Sequence, residues 1–464
     1  MFYKDKGIIS KYHKNKRIPK IIANDEYFAK HETFTEGRQY DLGKDFFTNF
    51  NGIYQSVTLP ATYQFAGLEN VAYSDITHDS KNVYLSIMTT TGSSDVLYSC
   101  SVKQNSHNVL NSLWISMNSE NIYHGIFCIN SFNVFFSKNI HNSNNIWFSS
   151  NCIWCSECIG CNGLENISNC INNIQYTKDE YAKLKNEYLG KKADFGNLFN
   201  QVLSSETKNY QSIDSDGKYL LHCNQTTHSL FWNNINVGNN NILVASNNQV
   251  SASFDGFLWW SGDTHDIYAQ IGSWLCNNIY CTIQGWTCSN IYYSFFLENC
   301  SYCLWCIWLK NKQFYILNKQ YTKEERFELA NKIFEDMDKD WILWNFFPAS
   351  MNPFYFNDTA AYLIDDTFTK EEVTKEWYLR RDEEIKVDVP SAEVIATSDV
   401  NNYQWFSSEW IRQINPEILK KVVKDEKGNY YRIVPMELEF LQKHGLPLPE
   451  IHWLDRIKLG FKFK

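Results

Sequence analysis

The chain has 464 residues, 44% hydrophobic and 16% aromatic, which implies two or more folded domains and excludes wholesale disorder. Its net charge of −9 argues against a broad phosphate-binding surface, so nucleic acid is not an expected partner. No apolar run approaches the ~20 residues of a membrane helix, and the basic start MFYKDKGIISKYHKNKRIPK lacks a signal-peptide core. The 14 Cys then read as reduced thiols of a cytoplasmic protein, although incorporation into a virion or surface assembly stays compatible.

In chain order, residues 1–62 read as an N-terminal segment and linker, and a repeat then takes over. An Asn or Asp followed by Val, Ile or Leu begins at Asn70, Asn82, Asp95, Asn108, Asn121, Asn133 and Asn145, at spacings of 12, 13, 13, 13, 12 and 12. It returns at Asn241, Asp266, Asn278 and Asn290. Each copy, such as SNIYYSFFLENC, is a short aromatic and β-branched run followed by turn residues, without the three-and-four spacing of a helix. A fixed period with strand chemistry means stacked coils. The expected fold class is mainly β, a β-solenoid with equivalent residues about 4.8 Å apart up the stack. Val83, Val109, Ile122, Val134 and Ile146 should form one apolar ladder, with Asn side chains hydrogen-bonding at the bends. Twelve residues trace about 40 Å, which suits a flattened coil of two short strands. A coil of two copies fits the spacing as well.

The chain also repeats on a longer scale. CIGCNGLENISNCINNIQYTKDEYAKL from Cys158 matches CLWCIWLKNKQFYILNKQYTKEERFEL from Cys303, an offset of 145 residues. Two tandem solenoids, 63–175 and 216–318, are expected, each followed by a polar helix. The first helix should run from Tyr176 to about Leu189 within 176–215, the second from Tyr321 to about Met337 within 319–400. Thr177 and Thr322 are the N-caps, with Glu180 and Glu325 as capping-box partners. Each helix should lie across the end of its stack and hide strand edges. The rest of 319–400 holds the Pro-containing aromatic linker FFPASMNPFYFND and the charged, helical FTKEEVTKEWYLRRDEEIK. In 401–464, KDEKGNYYRIVPMELEF reads as a hairpin around Lys427-Gly428-Asn429 and a short helix, with HGLPLPEIHW extended.

NVYLS-type repeats, LKNKQFYILNKQYTKEE, FFPASMNPFYFND, YYRIVPMELEFLQKHGLPLP and, near the start, GRQYDLGKDFFTNF together resemble a cysteine-rich repeat family abundant in candidate-phyla-radiation bacteria. The likeness spans nearly the whole chain. Members are often labelled zinc-ribbon or CaiB/BaiF-like proteins, and the second label implies a CoA-transferase fold that the repeat contradicts. The resemblance implies a zinc ribbon at each end, built from two Cys-x-x-Cys pairs. Here Lys424, Lys427, His452 and Asp455 stand at the four C-terminal positions, and the N-terminal counterpart holds no Cys. A closed zinc site takes four ligands, nearly always Cys or His. Both terminal segments are therefore expected to be degenerate ribbons that fold without metal.

Cys152, Cys155, Cys158 and Cys161 stand three apart, and Cys300, Cys303 and Cys306 repeat the spacing. Two Cys-x-x-Cys pairs suit zinc or an iron–sulfur cluster. Structural zinc sites, however, usually separate their pairs by a dozen or more residues. The copy 145 residues on also puts Leu297 opposite Cys152, and Leu packs but cannot ligate. The residues favour core packing with no cofactor, and zinc is the competing reading. FLWWSGDTHD supplies Trp259, Trp260 and Asp263, with His265 and Asp266: Trp stacks on sugar rings and carboxylates cleave between them, while Gly262-Asp263 also suits an ordinary turn. His222, Cys223 and His228 offer metal or Cys–His chemistry, with no third ligand or orienting acid nearby.

The expected function is non-catalytic: a solenoid scaffold binding other proteins, with self-association included. The alternative is a carbohydrate-binding or carbohydrate-cleaving solenoid using Trp259, Trp260 and Asp263. A third reading, a metal-dependent nucleic-acid-associated protein, is opposed by the missing ribbon cysteines and the acidic balance.

Overall fold

A computed structural model describes residues 2–3, 6–7, 9–30, 36–192, 194–235, 238–239, 250–254, 264–269, 271–382, 390, 393–408 and 411–461. The chain divides into two compact units, Met1–Thr62 with Lys208–Arg381, and Tyr63–Thr207 with Asp382–Lys464. The N-terminal segment thus belongs with the second solenoid and the C-terminal segment with the first.

In the unit built on Tyr63–Thr207, parallel strands stack in register. One ladder runs Val83, Val96, Val109, Ile122, Val134, Ile146, Cys158 and Cys170. Another runs Val102, Ile115, Cys128, Ile140 and Cys152. A coil is therefore a single repeat of 12 or 13 residues. The five expected ladder residues face its interior, each at most 1% exposed.

The coil is not two flat strands but four triplets. Every third residue takes a left-handed backbone, as at Asn133, Phe136, Asn139 and Asn142, with φ between 48° and 56°. The next residue in each case turns inward: Val134, Ser137, Ile140 and Ser143 are all buried. Apolar and Ser positions alternate around this narrow interior. Ser137 Oγ donates to the Phe135 carbonyl at 2.9 Å and accepts the Ser149 N–H of the next coil at 3.0 Å. Such bonds satisfy polar groups sealed from water. Left-handed backbone costs roughly 1–2 kcal/mol per non-Gly residue, and Asn and Asp tolerate it best, which is why they mark the repeat. Their side chains also bond up the stack, Asn121 to Asn133 at 3.0 Å and Asn133 to Asn145 at 2.7 Å. Thirteen-residue coils place the extra residue as a second left-handed one, Gly92, Asn105 or Asn118. A Cβ at Gly92 would lie 2.3 Å from Asn105 Oδ1, so a larger residue there would have to displace that side chain.

The aromatic surplus lies outside the coils. Tyr123, Phe135 and Trp147 belong to an outward apolar column with Leu97, Leu110, Ile159 and Ile171, packed against Phe199, Ile418, Leu438 and Phe440. Arg456 of the helix Trp453–Gly460 pairs with Glu437 of Pro435–His444, the two side chains 1% and 0% exposed.

The stack ends by reversal. Ile174–Gln175 pairs antiparallel with Ser168–Ile171, and in the other unit Lys319–Gln320 does so with Tyr315–Ile316. The helices Lys178–Glu187 and Lys323–Lys339 start where expected, with capping boxes on Thr177 and Thr322. They do not lie across the stack ends. The antiparallel return already occupies the edge, and the helices run back along the flank, where the apolar columns offer more surface to bury. Lys185 reaches Glu157 at 2.9 Å. Phe327 and then Phe334 meet Tyr302 and Tyr292.

In the second unit, Thr264–Tyr268, Asn277–Tyr280, Ser289–Tyr292 and Ser301–Leu304 stack in parallel. The N-terminal helices Asn24–Lys30 and Phe46–Tyr54 set Tyr27 against Trp308 and Phe46 against Trp305. Among its described residues, the charged stretch after the linker is helical over Lys370–Lys375, and Trp377 at φ 66° ends that helix. In the C-terminal segment Val422–Lys424 and Tyr430–Tyr431 form the expected hairpin, and Pro435–His444 the helix. The further helix Trp453–Gly460 follows the extended stretch.

Candidate functional site

The Cys-x-x-Cys runs are the triplet period of the coil. Cys152, Cys155, Cys158 and Cys161 take four successive inward positions, each at most 2% exposed. Cys152 and Cys158 continue the ladders of Ile140 and Ile146. Cys155 and Cys161 continue those of Ser143 and Ser149, to whose hydroxyls their N–H groups donate at 2.9 and 3.0 Å. Their thiols also copy the serine hydroxyls, donating to the carbonyls of Ile153 at 3.3 Å and Ile159 at 3.4 Å. A thiol serves both kinds of position because it is a small hydrophobe and a weak donor. Hydrogen bonding to Cys155, then burial, pushes the Cys152 thiol up, and Cys155, Cys161 and burial do the same at Cys158. Leu297 also faces inward, fully buried. Among the described residues, no group of three or more His, Cys, Asp or Glu is arranged to hold a metal ion.

Trp259, Trp260 and Asp263 lie outside the described residues. Asp266 is an exposed left-handed residue of the strand Thr264–Tyr268. His222 and His228 are likewise left-handed and both exposed, whereas Cys223 points inward at 1% exposure, so the cysteine does not share a face with the two histidines.

At the C-terminal ribbon positions, Lys427 Nζ lies 3.1 Å from Asp455 Oδ2. His452 Nδ1 accepts the Leu454 N–H at 3.2 Å as a helix N-cap, and the Lys424 ammonium sits 5.5 Å from the Tyr430 ring centroid. The ion pair ties the hairpin to the last helix, the cap starts that helix, and the cation–π contact braces the hairpin itself.

The sequence marks the Asn repeat but not the surface it makes. Asn108, Asn121, Asn133 and Asn145 bond in succession, ending on Glu157, which pairs with Lys185. Asn70, Asn82 and Asp95 do the same at the start of the stack. Beside them Lys81 and Asn144 are exposed and Ser94, His107 and Glu120 half-buried, in contrast to the covered apolar column. From Asn70 to Asn169 this polar strip extends about 38 Å at the spacing of adjacent strands. The signal that would have revealed it is the triplet period, because it fixes which residues turn out.

No protein-family model, curated protein or solved structure matches this chain, and its structural identity rests on its own fold, a β-solenoid.

Proposed function

We propose that the protein is a non-catalytic scaffold that binds other proteins along the polar strip of the first solenoid. The carrying observation is the side-chain ladder from Asn108 to Glu157, buried at Asn121 and half-buried at its other members, which braces a polar edge that carries exposed Lys81 and Asn144. A surface held by its own inter-coil bonds loses little conformational entropy when a partner docks, so even modest polar contacts yield affinity. The inward serines and cysteines, by contrast, are consumed by internal bonding. To test the reading, a photo-crosslinking residue is placed at exposed Lys81 or Asn144 and, as a control, at exposed Glu376 in the other unit. Discrete protein adducts are expected at the first two positions and should vanish in Asn133→Lys/Asn145→Lys. Adducts that persist in that variant, or form only from position 376, refute it.

Carbohydrate binding is the second reading. Trp274 and Trp286 stand in register on adjacent coils, Trp274 is 39% exposed and its neighbour Leu275 42%. Aromatic faces of this kind stack on sugars. Glycan binding that Trp274→Ala/Trp286→Ala abolishes would favour it over protein binding.

A further inference from the structure

Two exposed rings, Phe132 and Trp154, interrupt the polar edge of the first solenoid. They are 42% and 53% exposed, and neither meets another ring among the described residues, unlike the aromatics of the covered column. Phe132 pairs in register with Asn144 and Asn144 with Ser156, so Phe132 lies two coils before the one that carries Trp154. Along the stack the two rings are therefore about 9.6 Å apart. Trp154 takes a left-handed backbone, φ 57°, where Asn would be the easier residue. Folding alone gives no reason for a ring there.

Between the rings lie two amide donors without an acceptor. Asn130 Nδ2 donates to Asn142 Oδ1 at 2.7 Å, and the corner residue of the next coil would ordinarily take the bond onward. That residue is Trp154, whose side chain has no acceptor, so Asn142 Nδ2 has no protein partner among the described residues. Asn144 Oδ1 accepts from Asn145 Nδ2 at 3.4 Å, and Asn144 Nδ2 is likewise free among the described residues. With both oxygens engaged, these two side chains offer donors only. Asn130, Phe132, Asn142, Asn144, Trp154 and Ser156 carry no charge.

The complementary ligand is uncharged, rich in acceptors, poor in donors, and presents apolar faces at the interval of the rings. A polyproline II helix meets each condition. Its prolines lack an N–H, its carbonyls make no internal bond, and a turn of three residues rises about 9.3 Å. Aromatic side chains are the usual docking surface for such helices. A sugar chain would also stack on the rings, but its hydroxyls need acceptors as well as donors. We propose, resting on the reading of the strip as a protein-binding surface, that the partner docks through a proline-rich segment laid along the stack over Phe132 and Trp154. Asn142 and Asn144 donate to its carbonyls.

The probe is fluorescein-labelled polyproline of about ten residues, about 31 Å long, titrated with the full-length protein and followed by fluorescence polarisation. Saturable binding is expected, clearly tighter than for a glycine–serine peptide of the same length. Phe132→Ala should weaken it about ten-fold, as loss of a central ring does at a small interface. Asn142→Asp keeps the acceptor for Asn130 and removes the donor, and should weaken binding about five-fold. Trp154→Asn supplies an acceptor for the Asn142 amide, so it should keep or raise the melting temperature while losing binding about ten-fold. Trp341→Ala, at a 90% exposed position of the other unit, should change nothing. The proposal is overturned if the wild type does not distinguish the two peptides, if folded Trp154→Asn binds as tightly as wild type, or if cellohexaose displaces the polyproline. Protein adducts from a crosslinking residue at position 144 that excess polyproline fails to suppress would also overturn it, while leaving the strip's protein-binding role standing.

Discussion

Replacing Glu437 by Gln should loosen the C-terminal segment from the first solenoid far more than a surface substitution would. The carboxylate is 0% exposed and its partner Arg456 1%. Around the guanidinium stand the rings of Tyr98 at 5.1 Å and Tyr431 at 5.8 Å, which offer π faces but no countercharge. A neutral amide in place of the carboxylate would leave a cation that cannot lose its proton sealed between them. Breaking a buried pair from one side costs about 3–5 kcal/mol, and the amide oxygen of Gln keeps a hydrogen bond worth on the order of 1 kcal/mol, so a net loss of about 2–4 kcal/mol is expected. Removing both charges is a different perturbation. Glu437→Met/Arg456→Met replaces the pair with apolar side chains and should lie within about 2 kcal/mol of wild type. The sum of the Glu437→Met and Arg456→Met single effects should therefore exceed the double by about 3 kcal/mol or more. Urea unfolding would be followed by hydrogen exchange of peptides from 432–461 and, separately, from 94–147. The reasoning fails if Glu437→Gln stays within about 1 kcal/mol of wild type, or if the double variant loses as much as the two singles together.

Burial, with Arg456 adding to it, pushes the His124 pKa down to about 3. The unfolded chain takes up that proton below about pH 6.5 and the folded chain does not, so stability is full above 6.5 and falls as pH drops towards 3, by up to about 1.4 kcal/mol per unit. His124→Phe should flatten the difference in urea midpoint between pH 7 and pH 5, and an unchanged difference would count against the assignment. Ser112 Oγ accepts the Gly125 N–H at 3.0 Å and donates to the Leu110 carbonyl at 2.7 Å. Ser112→Ala strands that N–H and should cost about 1–3 kcal/mol, whereas Ser112→Cys should cost less, both read from urea midpoints. Ethylenediaminetetraacetate should leave the melting temperature unchanged, since Lys427–Asp455 and the His452 cap hold the C-terminal segment; a large drop would show a metal carrying folding energy.

The coil's length was legible because Asn, Asp and β-branched residues recur at it, and both capping boxes were legible because Thr177 and Thr322 stand three residues before Glu180 and Glu325. The triplet was written in the same letters, as Cys-x-x-Cys and as Val109, Ser112 and Ile115, yet it was hidden by local preference. Phe136, Phe148 and Trp154 take φ near 50°, a conformation such side chains avoid on their own. Bonds between coils impose it, and no single-coil reading contains them. The helices were placed correctly along the chain but not in space, because the antiparallel return that closes each stack is only two residues long. Which terminal segment packs on which solenoid was beyond reach for a related reason: the outward columns that decide it exist only once the triplet is known. Of the candidate residues, the inward cysteines were legible for their packing, because Cys152, Cys155, Cys158 and Cys161 follow the coil's own period.

The reversal at the end of each stack bears on how this molecule would respond to force. Bonds between coils lie along the stacking axis, so a pull in that direction loads one layer's bonds at a time and not the whole sheet in shear. Each layer that gives way frees 12 or 13 residues. That lengthens the chain by about 35 Å, the extended contour less the height of a layer. The two-residue antiparallel clasp is the last rung at its end and the shortest. Unravelling would begin there in small, even steps, and the molecule would behave as a spring with a built-in stride.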